Sequence, residues 1–445
     1  MLRDAPLQGP VPARLAGEGV LEYAFTLDAA GEAWAALTLD APDTSWARGA
    51  AAVVGLEIDR GSRQEVILAG GDEPTEYLRF LGRLSRGRHV LRLEIDSNLS
   101  PRGVQKVVLT GARTGAVADA DPGAPVWRHA PVLHYRALET RLDSLSTDTP
   151  LLLFYRILPD PAGAWDNPGL PATATFSPEV GTRIEYHVVY SHEDAGTDLT
   201  GLLARWGHTV DIEWIYRVTF DSAGRVVGEE FQGSGHTTGQ FRGTRAMGEH
   251  PVLQIASTNG MVTDRVTCPF AVALAPACAQ PAGEPREGVL QRFPWIYRVS
   301  ALEVVRQVPL DPKPSPASPA AADPRRYVFL QWKRKNGPLV PLEATVRVSG
   351  TWYPSAWGRT DLALAEPDGE STAVRVPPGT TETQISGIAL RALERPRIPL
   401  EVSLIRAFFL NEDYLPRPVF AAGGVCRLDP QKPWAVAWES SVKLE

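Results

Sequence analysis

The sequence predicts a mostly β protein of three antiparallel β-sandwich domains with few short helices. Three observations predict it. Glycine and proline number 39 each in 445 residues, which breaks the chain too often for long helices and suits short strands joined by turns. Apolar and polar residues alternate with a period of two in many short segments, as in strands with one buried face. Two seams rich in proline and small residues, 118–125 and 310–324, cut the chain into pieces of ordinary domain size. The expected domains are therefore 1–117, 126–309 and 325–445.

In the first domain, 20–27 and 33–39 alternate on either side of Asp28-Ala-Ala-Gly31, a strand–turn–strand pattern. Segments 87–95 and 104–110 add two more strands. This build resembles the β-sandwich of carbohydrate-binding modules, and Gly87-Arg88-His89 leading into a strand is similar to a late strand of some of them. A structural β-domain without a ligand is the favoured alternative. The third domain again offers short strands, at 325–334, 342–348, 351–353, 373–376, 384–390 and 400–409, broken at Pro367-Asp-Gly369 and Pro377-Pro-Gly379. Trp352, Tyr353 and Trp357 have flat rings of the kind that stack on sugars, but core aromatics are the expected role.

Composition excludes several functions. With 45 Lys+Arg against 52 Asp+Glu the net charge is −7, against the basic surplus that nucleic-acid binding needs. The longest apolar run, 270–279, is about half the roughly 20 residues of a membrane-spanning helix, so no transmembrane segment is expected. Met1-Leu-Arg-Asp-Ala-Pro6 shows no apolar signal-peptide core. There is no P-loop, no dinucleotide-binding glycine fingerprint, no nucleophile elbow and no His-Glu-x-x-His. Cys268 and Cys278 are spaced to close a loop as a disulfide, worth about 2–3 kcal/mol; three reduced thiols are the alternative, and Cys426 is left over in either case.

The chemistry concentrates in the second domain. Five of the eight histidines (His187, His192, His208, His236 and His250) fall between positions 187 and 250 of it, beside Glu193, Asp194, Asp198, Asp211 and Glu213. From Asp211 the pattern is a strand. Strict alternation puts Ile212, Trp214, Tyr216, Val218 and Phe220 on one face, and Asp211, Glu213, Ile215, Arg217 and Thr219 on the other. The two carboxylates then stand side by side, their Cα atoms about 6–7 Å apart, with His208 at the strand entrance. Adjacent carboxylates repel unless a positive charge sits between them. A divalent cation would serve, Mg²⁺ or Ca²⁺ before Mn²⁺, because one imidazole and several oxygens suit a hard ion better than structural zinc. Arg205 or Arg217 would serve as well, in a salt-bridged protein without metal.

Gly207-His208-x-x-Asp211-x-Glu213 resembles the Gly-His-Arg-His-Asp-Trp-Glu heptapeptide of the necrosis- and ethylene-inducing-peptide-like proteins, secreted β-sandwich cytolysins. In those a divalent metal is held by the first His, the Asp, the Glu and an upstream Asp. The resemblance implies His208, Asp211 and Glu213 as ligands, with Asp198 chosen over Asp194 for the upstream carboxylate. Val210 stands where the second histidine would be and Ile212 replaces the tryptophan, so membrane lysis is not carried over. The region is also similar to a vacuolar-protein-sorting-like family of plants and fungi, through Ala130-Pro-Val132, Asp211/Glu213, Gly235-His236 and His250-Pro-Val252 in that order.

The expected function is binding of a divalent cation and, through it, an oxygen-rich ligand such as a glycan or lipid head group. A metal-dependent polysaccharide lyase or hydrolase is the alternative, with His236, on a Gly/Ser/Thr loop, as acid or base; a structural protein without metal is the third. His187 and Glu185 share a strand face expected to be exposed. The modular β build and the resembled families imply an extracellular or cell-envelope protein.

Overall fold

The computed structural model describes residues 3–17, 19–48, 51–104, 106–136, 149–159, 182–193, 198–280, 284–307, 310, 320–336, 339–364 and 370–440. Asp194 and most of the 310–324 seam lie outside them. The protein is mostly β, as expected, with several antiparallel sheets and few short helices. Contacts divide it into two compact units rather than along the two seams. The first comprises Met1–Ala164, Leu170–Ala195 and Val210–Ala282; the second comprises Trp165–Gly169, Gly196–Thr209 and Gly283–Glu445.

The first unit opens with a sandwich of two antiparallel sheets. One runs in the order Arg3–Ala5, Lys106–Ala118, Gly31–Asp40, Thr75–Leu84; the other in the order Val20–Leu27, Gly87–Ile95, Val53–Ile58, Arg63–Ile67. Phe25, Leu37, Leu56, Leu91 and Leu109 are fully buried between them, each such side chain contributing about 1.5–3 kcal/mol through burial.

The edge of this sandwich explains why 1–117 does not stand apart from the second expected domain. Strand Thr75–Leu84 has a free edge, and later chain takes it: Phe80 N donates to Ala273 O at 3.0 Å and Arg83 N to Met247 O at 2.9 Å. Gly82, at φ 85°, permits that approach, since a Cβ there would lie 2.7 Å from Met247 O. Covering an edge strand removes a row of unpaired backbone groups.

The rest of the first unit holds a six-stranded sheet and a smaller five-stranded one. The larger runs Thr237–Gln240, Val226–Gly233, Asp211–Phe220, Thr182–Tyr190, Pro150–Pro159, Pro276–Ala279. Two pairings depart from the antiparallel expectation: Pro276–Ala279 on Pro150–Pro159, and Val132–His134 on His250–Ile255. Each joins segments far apart in sequence, the long connection that parallel strands require.

The second unit is a sandwich of two four-stranded sheets. One runs Glu370–Arg375, Tyr327–Asn336, Leu400–Phe408, Val425–Leu428; the other Thr351–Pro354, Leu342–Val348, Ile385–Ala392, Trp434–Glu439. Val328, Leu330 and Trp332 pack against Val346, Ile388 and Leu390 in its core. On the opposite face of the first sheet Phe329 and Phe408 stack at 5.5 Å, and Tyr297 of helix Trp295–Gln307 meets both edge-on. Helix Leu199–Trp206 belongs here too, through Thr372 Oγ1 donating to Ala204 O at 2.7 Å. The three aromatics read as core divide: Tyr353 packs on the core, Trp352 is half-buried, and Trp357 is 47% exposed. Cys268, Cys278 and Cys426 are all free thiols, so the Cys268–Cys278 bridge is not formed.

Candidate functional site

The Asp211–Phe220 strand sets the geometry, and a bulge rewrites its faces. Against Thr182–Tyr190, Tyr216 pairs with Tyr186 but Trp214 pairs with His187, leaving Ile215 as an extra residue. A bulge of this kind reverses the alternation beyond it. Directly paired residues share a face, so Asp211 and Glu213 lie with Tyr190, Val188, Tyr186, Tyr216 and Val218. Trp214, Arg217 and Thr219 lie on the other side, with His187, Glu185 and Arg183. The two carboxylates do share a face, as the spacing predicts, but it is the face of Tyr216 and Val218. Both are buried, at 3% and 9% exposure.

The same bulge takes Arg217 away from them. Its guanidinium stacks on Trp214, 3.6 Å from the ring centroid, and its Nε donates to Glu185 Oε2 at 2.5 Å. His187 Nε2 completes that group at 2.7 Å from Glu185 Oε1. The expectation that Glu185 and His187 sit on an exposed surface is overturned, since both are buried. Burial alone would raise the pKa of Glu185, but His187, Arg217 and Arg156 outweigh it and bring it down to about 2.

Glu213 and His236 are brought together by a residue that the sequence does not single out. Gln232 Nε2 donates to Glu213 Oε2 at 2.9 Å and to His236 Nδ1 at 2.6 Å. Strand Val226–Gly233 ends at this point, and Gly235 (φ 72°) and His236 (φ 59°) both adopt left-handed backbone. That conformation strains a non-glycine residue. With Nδ1 accepting from the amide, the neutral imidazole carries its proton on Nε2. His236 is exposed, while Gln232 is 2% exposed and its Oε1 has no hydrogen-bond partner among the described residues.

The other two expected ligands belong to the second unit. Asp198 is the N-cap of helix Leu199–Trp206, its Oδ1 accepting from Gly201 N at 2.7 Å. His208 places Nε2 3.9 Å from Glu287 Oε1. Burial would raise the Glu287 pKa, but His208 and Arg286 prevail and hold it below the usual carboxylate range. Arg205, the other expected neutraliser, lies over the Trp206 ring. Among the described residues no three His, Cys, Asp or Glu side chains are grouped so as to hold a metal ion.

Two further sequence features have structural partners. His89 is buried between Asp59 Oδ2, 2.6 Å from Nδ1, and Ser85 O, 2.8 Å from Nε2. His250 is fully buried, bonded to Ala130 O at 2.8 Å and Glu32 Oε2 at 3.1 Å, and stacked on Phe80.

No family model matches the chain, and no curated protein matches it. Among solved structures, a CBM35 from Cellvibrio japonicus Abf62 is similar at 10% identity over 26% of this chain and 88% of its own, with a TM-score of 0.19. A carbohydrate esterase family 2 enzyme plus carbohydrate-binding domain from Corynascus thermopiles (Myceliophthora fergusii) matches at 19% identity over 27% of this chain and 32% of its own, TM-score 0.16. A Podospora anserina GH26-CBM35 β-(1,4)-mannanase matches at 10% identity over 29% and 27%, TM-score 0.16. This chain thus spans about a third or less of the length of the last two. Likenesses at these scores carry no argument.

Proposed function

We propose that the first unit binds an oxygen-rich ligand, a glycan before a lipid head group, where Gln232 meets His236. One observation carries this reading. A buried amide, Gln232, itself held by Glu213, fixes the exposed imidazole of His236 so that its Nε2 is a donor. A sugar hydroxyl accepts from such a donor, a hydrogen bond worth about 0.5–1.5 kcal/mol. Glu213 holds the amide from behind and fixes which nitrogen of His236 is protonated.

The finer reading adds a divalent cation, Mg²⁺ or Ca²⁺, at Asp211 and Glu213. Two buried carboxylates on one sheet face support it, because their repulsion is relieved by a cation. Asp198, capping a helix, has no part in this reading. A polysaccharide-cleaving role for His236 would need a reacting group beside it, and binding needs only what is in place. A glycan ligand also fits work outside the cell or in its envelope.

The test is affinity electrophoresis of the full chain through gels containing soluble polysaccharides, with flotation on phosphatidylcholine vesicles in parallel. His236→Ala is expected to weaken retardation about tenfold, the loss of a ligand hydrogen bond, at an unchanged melting temperature, and Gln232→Leu to weaken it similarly with a lowered melting temperature, since it deprives buried Glu213 of that donor. Retardation equal to wild type in both variants refutes the site. For the cation, the purified chain is assayed for bound metal and melted with and without a chelator. No bound metal together with an unmoved melting temperature removes the cation while leaving the hydroxyl site standing.

A further inference from the structure

We propose that the second unit carries a separate glycan-binding face on the outer side of its Thr351–Pro354, Leu342–Val348, Ile385–Ala392, Trp434–Glu439 sheet, built on Trp352 and Trp434. The inward residues of that sheet, Leu342, Ala344, Val346, Ile388, Leu390 and Ala435, are core. Strand alternation therefore turns Arg347, Gly387, Arg391 and Trp434 outward, and the register sets Trp352 opposite Arg347 and Trp434 opposite Arg391.

Trp352 lies down across the sheet. A Cβ added to Gly387, two strands away, would come within 3.0 Å of its Cη2, so the missing side chain makes the place for the indole. The ring meets Trp434 edge-on, with centroids 5.6 Å apart and planes at 89°, and Trp434 is 39% exposed. Water-facing indoles cost hydration free energy that a structural role would avoid by burying them.

The polar groups around the rings are held in place. Arg347 lies 5.2 Å from the Trp352 centroid and donates to Ser386 Oγ at 3.0 Å and to Glu439 Oε1 at 3.1 Å. Arg391 bonds fully buried Glu343, whose other oxygen accepts from Gly358 N at 2.7 Å. That last bond ties down the loop bearing Trp357, a bulky residue at φ 53° and 47% exposed. Strain at such a residue is kept where the surroundings impose it.

This chemistry selects the occupant. Each guanidinium on the face is paired with a carboxylate, so the face offers no net charge to an acidic sugar or an anionic lipid. It offers flat rings for the apolar C–H side of a pyranose, and fixed donors and acceptors for its hydroxyls. A neutral polysaccharide meets both requirements. The inference does not depend on the Gln232–His236 site, which lies in the other unit.

The experiment is run in the His236→Ala background, so that failure of the Gln232–His236 site leaves it unaffected. The chain is passed through gels of galactomannan, arabinoxylan, mixed-linkage β-glucan, hydroxyethylcellulose and polygalacturonate, and its tryptophan fluorescence is titrated with the same polymers. Expected are retardation and a fluorescence shift with at least one neutral polymer, both weakened about tenfold or more by Trp434→Ala and by Trp357→Ala. Both exposed positions tolerate truncation without a core cavity; Trp352→Ala is added with its melting curve as control. Retardation by polygalacturonate alone, no retardation at all, or retardation indifferent to Trp434→Ala overturns the proposal. So does self-association in light scattering that Trp434→Ala abolishes, which would make the face an interface between copies.

Discussion

At the scale of single residues, pairing decides what each charged group can do. Arg217 and Glu213 are four positions apart on one strand, yet Arg217 serves Glu185 while Glu213 accepts from Gln232. Spacing identified Asp211 and Glu213 as neighbours because strand period alone places i and i+2 on one face. Gln232 was not legible: an uncharged amide at a strand end belongs to no pattern, and its role exists only where two other side chains converge on it. His129 shows how burial sets a titration. Loss of hydration, with Arg245, Arg128 and His250 adding to it against Glu229, pushes its pKa down to about 4. The unfolded chain, at the ordinary value near 6.5, therefore binds more protons between these limits. This residue costs the protein about 2 kcal/mol of stability between pH 7 and about pH 5. His129→Phe, which keeps a ring against Phe220, is expected to remove that share of the pH slope in urea unfolding. An unchanged slope would mean that His129 is hydrated in solution.

At the scale of elements, one extra residue outweighed a clean pattern. Alternation from Asp211 to Phe220 is regular in sequence, and nothing in Trp214-Ile215-Tyr216 announces a bulge; the partner strand imposes it. Helix Leu199–Trp206 tells the opposite story, since its signals are local. Asp198 as N-cap, Leu199, Leu202 and Leu203 on one buried face, and Gly207 at φ 66° as C-cap make a complete helical unit. The cap accounts for Asp198 without a metal. Asp198→Ala is expected to cost the second unit about 1 kcal/mol, while Asp198→Asn, which caps equally well, retains the stability. Equal losses in both variants would show that the charge matters and would support its role as a ligand.

At the scale of the whole molecule, compact units and sequence seams do not coincide. The 118–125 seam is rich in breakers, yet the sheets on its two sides share backbone bonds at Phe80 and Arg83, and Glu32 meets His250 from 218 residues away. Backbone groups joined in this way open together. In native-state hydrogen exchange, amides of Gly31–Asp40 and of His250–Ile255 are expected to share one opening free energy and one denaturant dependence. Two distinct values would separate the first sandwich from the six-stranded and five-stranded sheets of the same unit.

The sequence by itself determined the strand-rich class, the short elements and their turns, and the neighbouring carboxylates of Asp211 and Glu213. Period and turn chemistry act over a few residues and need no distant partner. Only the tertiary structure decided which face those carboxylates take, that Asp198 and His208 belong with another unit, and that Trp352 rests on Gly387. Each of these depends on register between strands far apart along the chain, and register is set by how whole faces pack.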